Sequence, residues 1–140
     1  MNDNGITPDQ LPPPANHILS INITATEVKD ILKSLQFGKA VGPDQINNRI
    51  LRELADELSF PLCCLFNYSL QIAEVPSIWK EANVCPIFKS GDPSLPSNYR
   101  PVSLLSAIDK VFEKIIFKHA FNFLQDESFI TSVQSGFFTR

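Results

Sequence analysis

The chain has 140 residues, 44% of them hydrophobic and 19% charged, with 11 Phe, 11 Pro and a formal net charge of −3. A chain of this size can bury roughly 70% of its unfolded surface, so the composition excludes wholesale disorder and allows one domain with a core of its own. The acidic balance counts against a protein whose whole task is to grip a phosphate backbone. No apolar run nears the length of a membrane-spanning helix, and no basic start leads into an apolar stretch, so neither membrane insertion nor secretion is expected.

Residues 1–23 read as a leader or linker, because the first part is polar and proline-rich, including LPPPAN. From Thr24 the pattern becomes helical: Val28, Ile31, Leu32 and Leu35 share a face, and Thr24 with Glu27 forms a capping box. Gly38 is the expected stop, and GKAVGPDQ (38–45) the following loop. A second helix is expected over Asn47 to Glu57, with Ile46, Ile50, Leu51, Leu54 and Leu58 on one side. Pro61 suits the first turn of a third helix carrying Leu62, Leu65, Phe66, Ser69 and Ile72, which ends near Glu74 because Pro76 cannot continue it.

WKEANVCPIFK (79–89) alternates as a strand does, with Pro86 marking an edge or an irregularity. Residues 90–98 are turn-rich, and YRPVSL (99–104) supplies a returning antiparallel strand, so Lys89 and Arg100 would flank one hairpin tip. The hairpin is expected to pack on a final helix from Ser106 to about Gln125, marked by Ile108, Val111, Phe112, Ile115, His119 and Phe123, with Ser106 and Asp109 in capping-box positions. Lys110 and Glu113 are spaced for an ion pair on it. Residues 126–140 return to irregular structure, and the closing QSGFFTR carries no end signal, so a cut chain is expected.

Cys63, Cys64 and Cys85 make no even framework, and with His17 and His119 they make no metal-binding spacing. Buried, reduced thiols in a cytoplasmic or nuclear protein are the expectation. Charge is uneven: residues 1–75 hold five basic and nine acidic residues, and residues 76–140 hold seven and six. An anion-facing surface should therefore draw mostly on the second half, with Lys39 as a contribution from the first.

Taken in order, KAVGPDQINNRIL, VPSIWKEANVCPIFKSGDPSLPSNYRPVSLLSAIDKVFEKII and QSGF resemble the N-terminal part of the reverse transcriptase of non-LTR (LINE-type) retrotransposons. The resemblance covers residues 24–140, and its strength lies in the order and spacing of the motifs rather than in any single one. It implies a partial domain, the fingers and upper palm edge of a right-hand polymerase with the palm missing. The fold class would be α+β, mostly helical with a small antiparallel β-hairpin.

By the same resemblance Lys89 and Arg100 are the basic pair that reaches the triphosphate of the incoming nucleotide, and Lys39, Gly42, Tyr99 and Gln134 are template contacts. The physical logic agrees, since Arg offers a planar donor fork to phosphate and Lys a point charge. The plainer reading makes Lys89 and Arg100 surface cations paired with Asp92. Asp44 fits a template contact and a helix cap equally well. Tyr99 stays open between base stacking and packing, whereas Trp79 is expected to pack beneath the strands. Where the family has Gln-x-Gly-Phe-Arg, this chain has Phe138 in place of the Arg, with Arg140 two positions on.

Polymerisation needs two carboxylates holding two Mg²⁺ ions. The chain has no Asp-Asp pair, and Asp92, Asp109 and Asp126 stand alone. The resemblance therefore implies an RNA-directed DNA polymerase by family and a chain inactive by itself. Mg²⁺ and deoxynucleotides, like the RNA template and DNA primer, belong to the complete enzyme, and this segment alone is expected to hold no cofactor. A palm-facing surface left open would favour self-association. The competing readings are a non-catalytic module that binds RNA or template-primer, and an inert product of a decayed element.

Overall fold

The computed structural model describes residues 20–126. Four helices and one hairpin follow in order: α1 (Ala25–Lys33), α2 (Asn48–Glu53), α3 (Ala55–Ile72), β1 (Asn83–Phe88), β2 (Tyr99–Leu104) and α4 (Ala107–Asp126). This is the mixed, mainly helical architecture expected, with a two-stranded antiparallel sheet. The leader before residue 20 and the segment after residue 126, Gln134 included, lie outside the described residues.

Helix α1 starts as its capping signal predicts: Thr24 is extended, and its Oγ1 accepts from the Glu27 N–H at 3.2 Å. Val28, Ile31 and Leu32 form its buried face. The helix ends before Gly38, at Ser34, whose hydroxyl donates to the Ile31 carbonyl. Gly38 instead serves the next loop at φ 73°, a conformation that costs glycine nothing. Just before α1, Asn67 of α3 accepts from the Ile23 N–H at 3.0 Å and donates to the Ile23 carbonyl at 2.8 Å. One amide thereby satisfies both buried backbone groups of Ile23.

The second and third helices differ from expectation. α2 is capped by Asn47, whose side chain accepts from the Ile50 N–H, and it stops at Leu54, where φ −98° and ψ 24° break the helix. α3 then begins at Ala55 and runs straight through Pro61. The reason is the face the break creates: Ala55, Ser59, Leu62, Phe66 and Ser69 recur every three or four residues and are all buried. Pro61 lies on the exposed side, and the carbonyl it deprives of a donor belongs to exposed Glu57. A proline inside a helix costs about 3 kcal/mol, and burial of this continuous face offsets it.

Trp79 also departs from expectation. It is buried against Phe66 of α3 and Phe112 of α4, with ring centroids 5.9 and 5.6 Å away, and Phe66 and Phe112 are themselves 5.0 Å apart. This aromatic triad joins the helices, so Trp79 packs between them and not beneath the strands. The hairpin does not pack on α4 either. Every residue of β1 is exposed, and β2 is exposed apart from its partly covered ends. Cys64 and Cys85 are exposed as free thiols and Cys63 is partly buried, which corrects the expectation of buried cysteines.

Two joints fix α4. At its start, Ser106 is fully buried; its hydroxyl oxygen accepts from the N–H groups of Ile108 and Asp109 and its proton goes to Asp44 Oδ2 at 2.5 Å. Asp44 Oδ1 meanwhile accepts from the Ile46 N–H. Asp44 thus caps no helix directly; it anchors the residue that does. Further along, Lys118 Nζ and His119 Nε2 meet the two oxygens of Glu27 on α1 at 3.2 and 3.0 Å. Lys110 and Glu113 form no ion pair with each other among the described residues.

Gly42 explains how the first joint closes. A Cβ there would sit 2.6 Å from backbone atoms of Leu105 and Ser106, none of which can swing aside. Gly42→Ala is expected to destabilise the chain by about 1–3 kcal/mol, as overpacking does, measured as a fall in the urea midpoint at unchanged slope. For the second joint, burial pushes the Glu27 carboxyl up, but hydrogen bonds and charge from His119 and Lys118 outweigh it and leave the group below its ordinary range. A carboxylate held low stabilises the fold above its unfolded pKa and loses that contribution as pH falls through the folded value. Wild type should therefore exceed Glu27→Gln in stability near neutrality, and the gap should narrow as unfolding is followed below about pH 4.5.

Candidate nucleic-acid interface

The hairpin's register decides which side chains share a face. The Lys89 N–H donates to the Asn98 carbonyl at 2.8 Å, so this pair is a hydrogen-bonded one. Pairing continues as Ile87 with Arg100, Cys85 with Val102 and Asn83 with Leu104. Side chains alternate along a strand, so Lys89 and Arg100 emerge on the same face as diagonal neighbours, roughly 7–8 Å apart at the backbone. Both are exposed, and neither pairs with Asp92 or any other carboxylate among the described residues.

The alternate pair, Pro86 opposite Pro101, falls where N–H groups would point away from the partner strand. Neither proline therefore costs a ladder bond. Each removes an outward donor, and the two edges of this isolated hairpin are blunted against strand addition.

Asp92 is engaged in the loop between the strands. Its carboxylate accepts from the Ser94 N–H at 2.9 Å, which holds it below the ordinary carboxylate range. Asn98 donates to the Asp92 carbonyl, and the Tyr99 hydroxyl donates to the Pro93 carbonyl. Gly91, at φ 95°, lets the chain pass close to Asn98. Tyr99 packs edge-on against Phe88 at 5.5 Å, on the face opposite Lys89 and Arg100. The structure thus brings Lys89 and Arg100 together and places Tyr99 apart from them, as a brace for the loop.

Lys39 and Gly42 lie in the loop between α1 and α2. Gly42 is buried against the backbone at the start of α4, while Lys39 is exposed and lines an open cleft of about 540 Å³. Phe37, Gly38, Val41, Asn47, Asn48, Arg49 and Glu53 complete its lining. Sequence reasoning passes over Phe37, Arg49 and Arg52. The signal was present: Phe37 is a large apolar residue past the end of α1 that directly precedes Gly38 and Lys39.

Among the described residues no three His, Cys, Asp or Glu side chains come together. Asp92 is bound within its loop and Asp109 is buried at the start of α4, where burial pushes its carboxyl up. These residues do not fit a Mg²⁺ site, and none is assigned to one. No helix among the described residues is long and apolar enough to cross a membrane.

No family model matches the chain. It is, however, 34% identical over 116 residues to the RNA-directed DNA polymerase from mobile element jockey of Drosophila melanogaster, covering 82% of this chain and 13% of that protein. It is 32% identical over 133 residues to the probable RNA-directed DNA polymerase from transposon BS of the same species, covering 94% and 15%. A Pol polyprotein from the type-1 retrotransposable element R1 of Bradysia coprophila is 31% identical over 102 residues, covering 71% and 10%. The chain thus spans between a tenth and a sixth of the length of these relatives. With most of its length aligned to these enzymes, the chain belongs to the non-LTR retrotransposon family of RNA-directed DNA polymerases, and corresponds to one segment of its members.

Proposed function

We propose that residues 24–140 are the fingers segment of such a polymerase, contributing contacts to template and incoming nucleotide while the metal-binding carboxylates lie in another part of the enzyme. The observation that carries this reading is the shared face of Lys89 and Arg100. Two cations with no carboxylate partner among the described residues, on one side of a proline-blunted hairpin, suit an anionic ligand, and a guanidinium beside an ammonium suits a polyphosphate. Because the hairpin stands clear of the helical core, a ligand can reach its basic face without disturbing that core.

Template contact is assigned to Lys39, on the same loop whose Gly42 and Asp44 grip the start of α4. Gly42 acts there through close backbone approach, and Tyr99 by shaping the hairpin loop. Gln134 keeps its proposed template role on the motif alone. The complete enzyme would use RNA template, DNA primer, deoxynucleotides and Mg²⁺, and this segment would perform no transfer by itself. The exposed apolar side chains of α3, Phe60, Leu65, Tyr68 and Ile72, are those that would carry self-association of the isolated segment.

The test is binding of a labelled deoxynucleoside triphosphate to the purified chain, with unlabelled RNA/DNA template-primer present, across a salt series. Lys89→Ala and Arg100→Ala should each weaken nucleotide binding about tenfold, as loss of a charge-assisted hydrogen bond does, and wild-type binding should fall as salt rises. Binding no greater than that of an unrelated acidic protein would contradict the proposal.

A further inference from the structure

The cleft beside Lys39 contains a feature that the nucleotide-binding pair does not explain. Phe37 is 52% exposed, an unusual position for a phenyl ring next to a core helix. It is nonetheless held in place: the Arg52 guanidinium sits 4.6 Å from its ring centroid, and Arg52 is fixed in turn by donating to the Leu35 carbonyl at 3.2 Å. Arg52 does not line the cleft, whereas Phe37 does. The guanidinium therefore backs one side of the ring and leaves another side open to the cleft.

The rest of the lining supplies charge on a fixed frame. Asn48 donates to the Gln36 carbonyl at 2.9 Å, tying α2 to the segment that carries Phe37. Lys39 has no carboxylate partner among the described residues. Arg49 is exposed and held at 2.8 Å by Glu53. An exposed aromatic backed by a cation, with a free ammonium and an exchangeable guanidinium at its rim, is the combination that binds unpaired nucleotides. Bases stack on the ring, and phosphates take the cations.

We infer that this cleft is a single-stranded nucleic-acid site in which an unpaired base stacks on Phe37 and the flanking phosphates reach Lys39 and Arg49. The inference rests on the reading of the chain as a polymerase segment and names where unpaired strand would lie. Glu53 opposes the phosphate and restrains Arg49, so it sets the affinity from within the site. Stacking selects no particular base, because every base has a π-face. The site is accordingly one for strand tracking and not for sequence readout.

Fluorescence anisotropy with labelled twelve-nucleotide RNA and DNA single strands, on the full 140-residue chain, tests this. Phe37→Leu should weaken binding of single strands about tenfold and leave the salt slope unchanged, while Lys39→Ala should lower the slope by about one. Glu53→Gln should tighten binding, because Arg49 no longer divides its guanidinium between Glu53 and the phosphate. A gain of this kind cannot come from misfolding. Phe37→Leu and Glu53→Gln both matching wild type would overturn the inference, and loss of binding confined to Lys89→Ala and Arg100→Ala would do so while leaving the polymerase reading intact. Failure of the wild-type chain to bind either strand would overturn the inference together with the template contact assigned to Lys39.

Discussion

A single partly buried hydrogen bond, from the Ser106 hydroxyl to Asp44 Oδ2, connects parts of the chain 62 residues apart. Its importance comes from what each partner also does. Ser106 satisfies two N–H groups at the start of α4, and Asp44 turns the chain toward α2. Because α4 follows directly on β2, the same bond anchors the base of the hairpin. The loop bearing Lys39 and the strand bearing Arg100 are thus referred to one point. Gly42 makes the contact sterically feasible, and the buried Ser106 hydroxyl gains an acceptor in the Asp44 carboxylate.

Around that joint the molecule divides its labour. The helices build the core through Phe66, Trp79 and Phe112, together with the aliphatic faces of α1 and α4. The hairpin contributes almost nothing to that core and is stabilised locally, by its ladder, the Phe88–Tyr99 contact and the bonds of the loop from Gly91 to Asn98. A packed helical base and a self-contained projection leave Lys89 and Arg100 exposed at little cost to folding. The opposed prolines belong to the same design, since an isolated two-stranded ribbon with open edges invites pairing with other chains.

Much of this was legible in the residues because it is locally encoded. Thr24 and Ser106 announced their caps, and the hairpin followed from alternation and turn residues. What was hidden depends on contacts distant in sequence. Pro61 signals a helix start by local rules, yet the buried face from Ala55 to Ser69 carries the helix through it. The alternation in β1 suggested one buried face, but no element covers it. Gly42 and Asp44 could be read as a loop motif, whereas their partner Ser106 could be named only once the chain was folded. Phe37 could be noticed beside Gly38 and Lys39, but what holds its ring, Arg52 from the next helix, is given only by the fold.

The account stands or falls on the coupling between Asp44 and Ser106. A double-mutant cycle with Asp44→Ala, Ser106→Ala and the double variant, followed by urea unfolding, measures it directly. If this bond is the joint described, removing either partner strands the other, and the two losses together should fall short of their sum by about 1–3 kcal/mol. Losses that simply add would show that the loop and α4 are held by other contacts, and that the bond is incidental to the position of both basic surfaces.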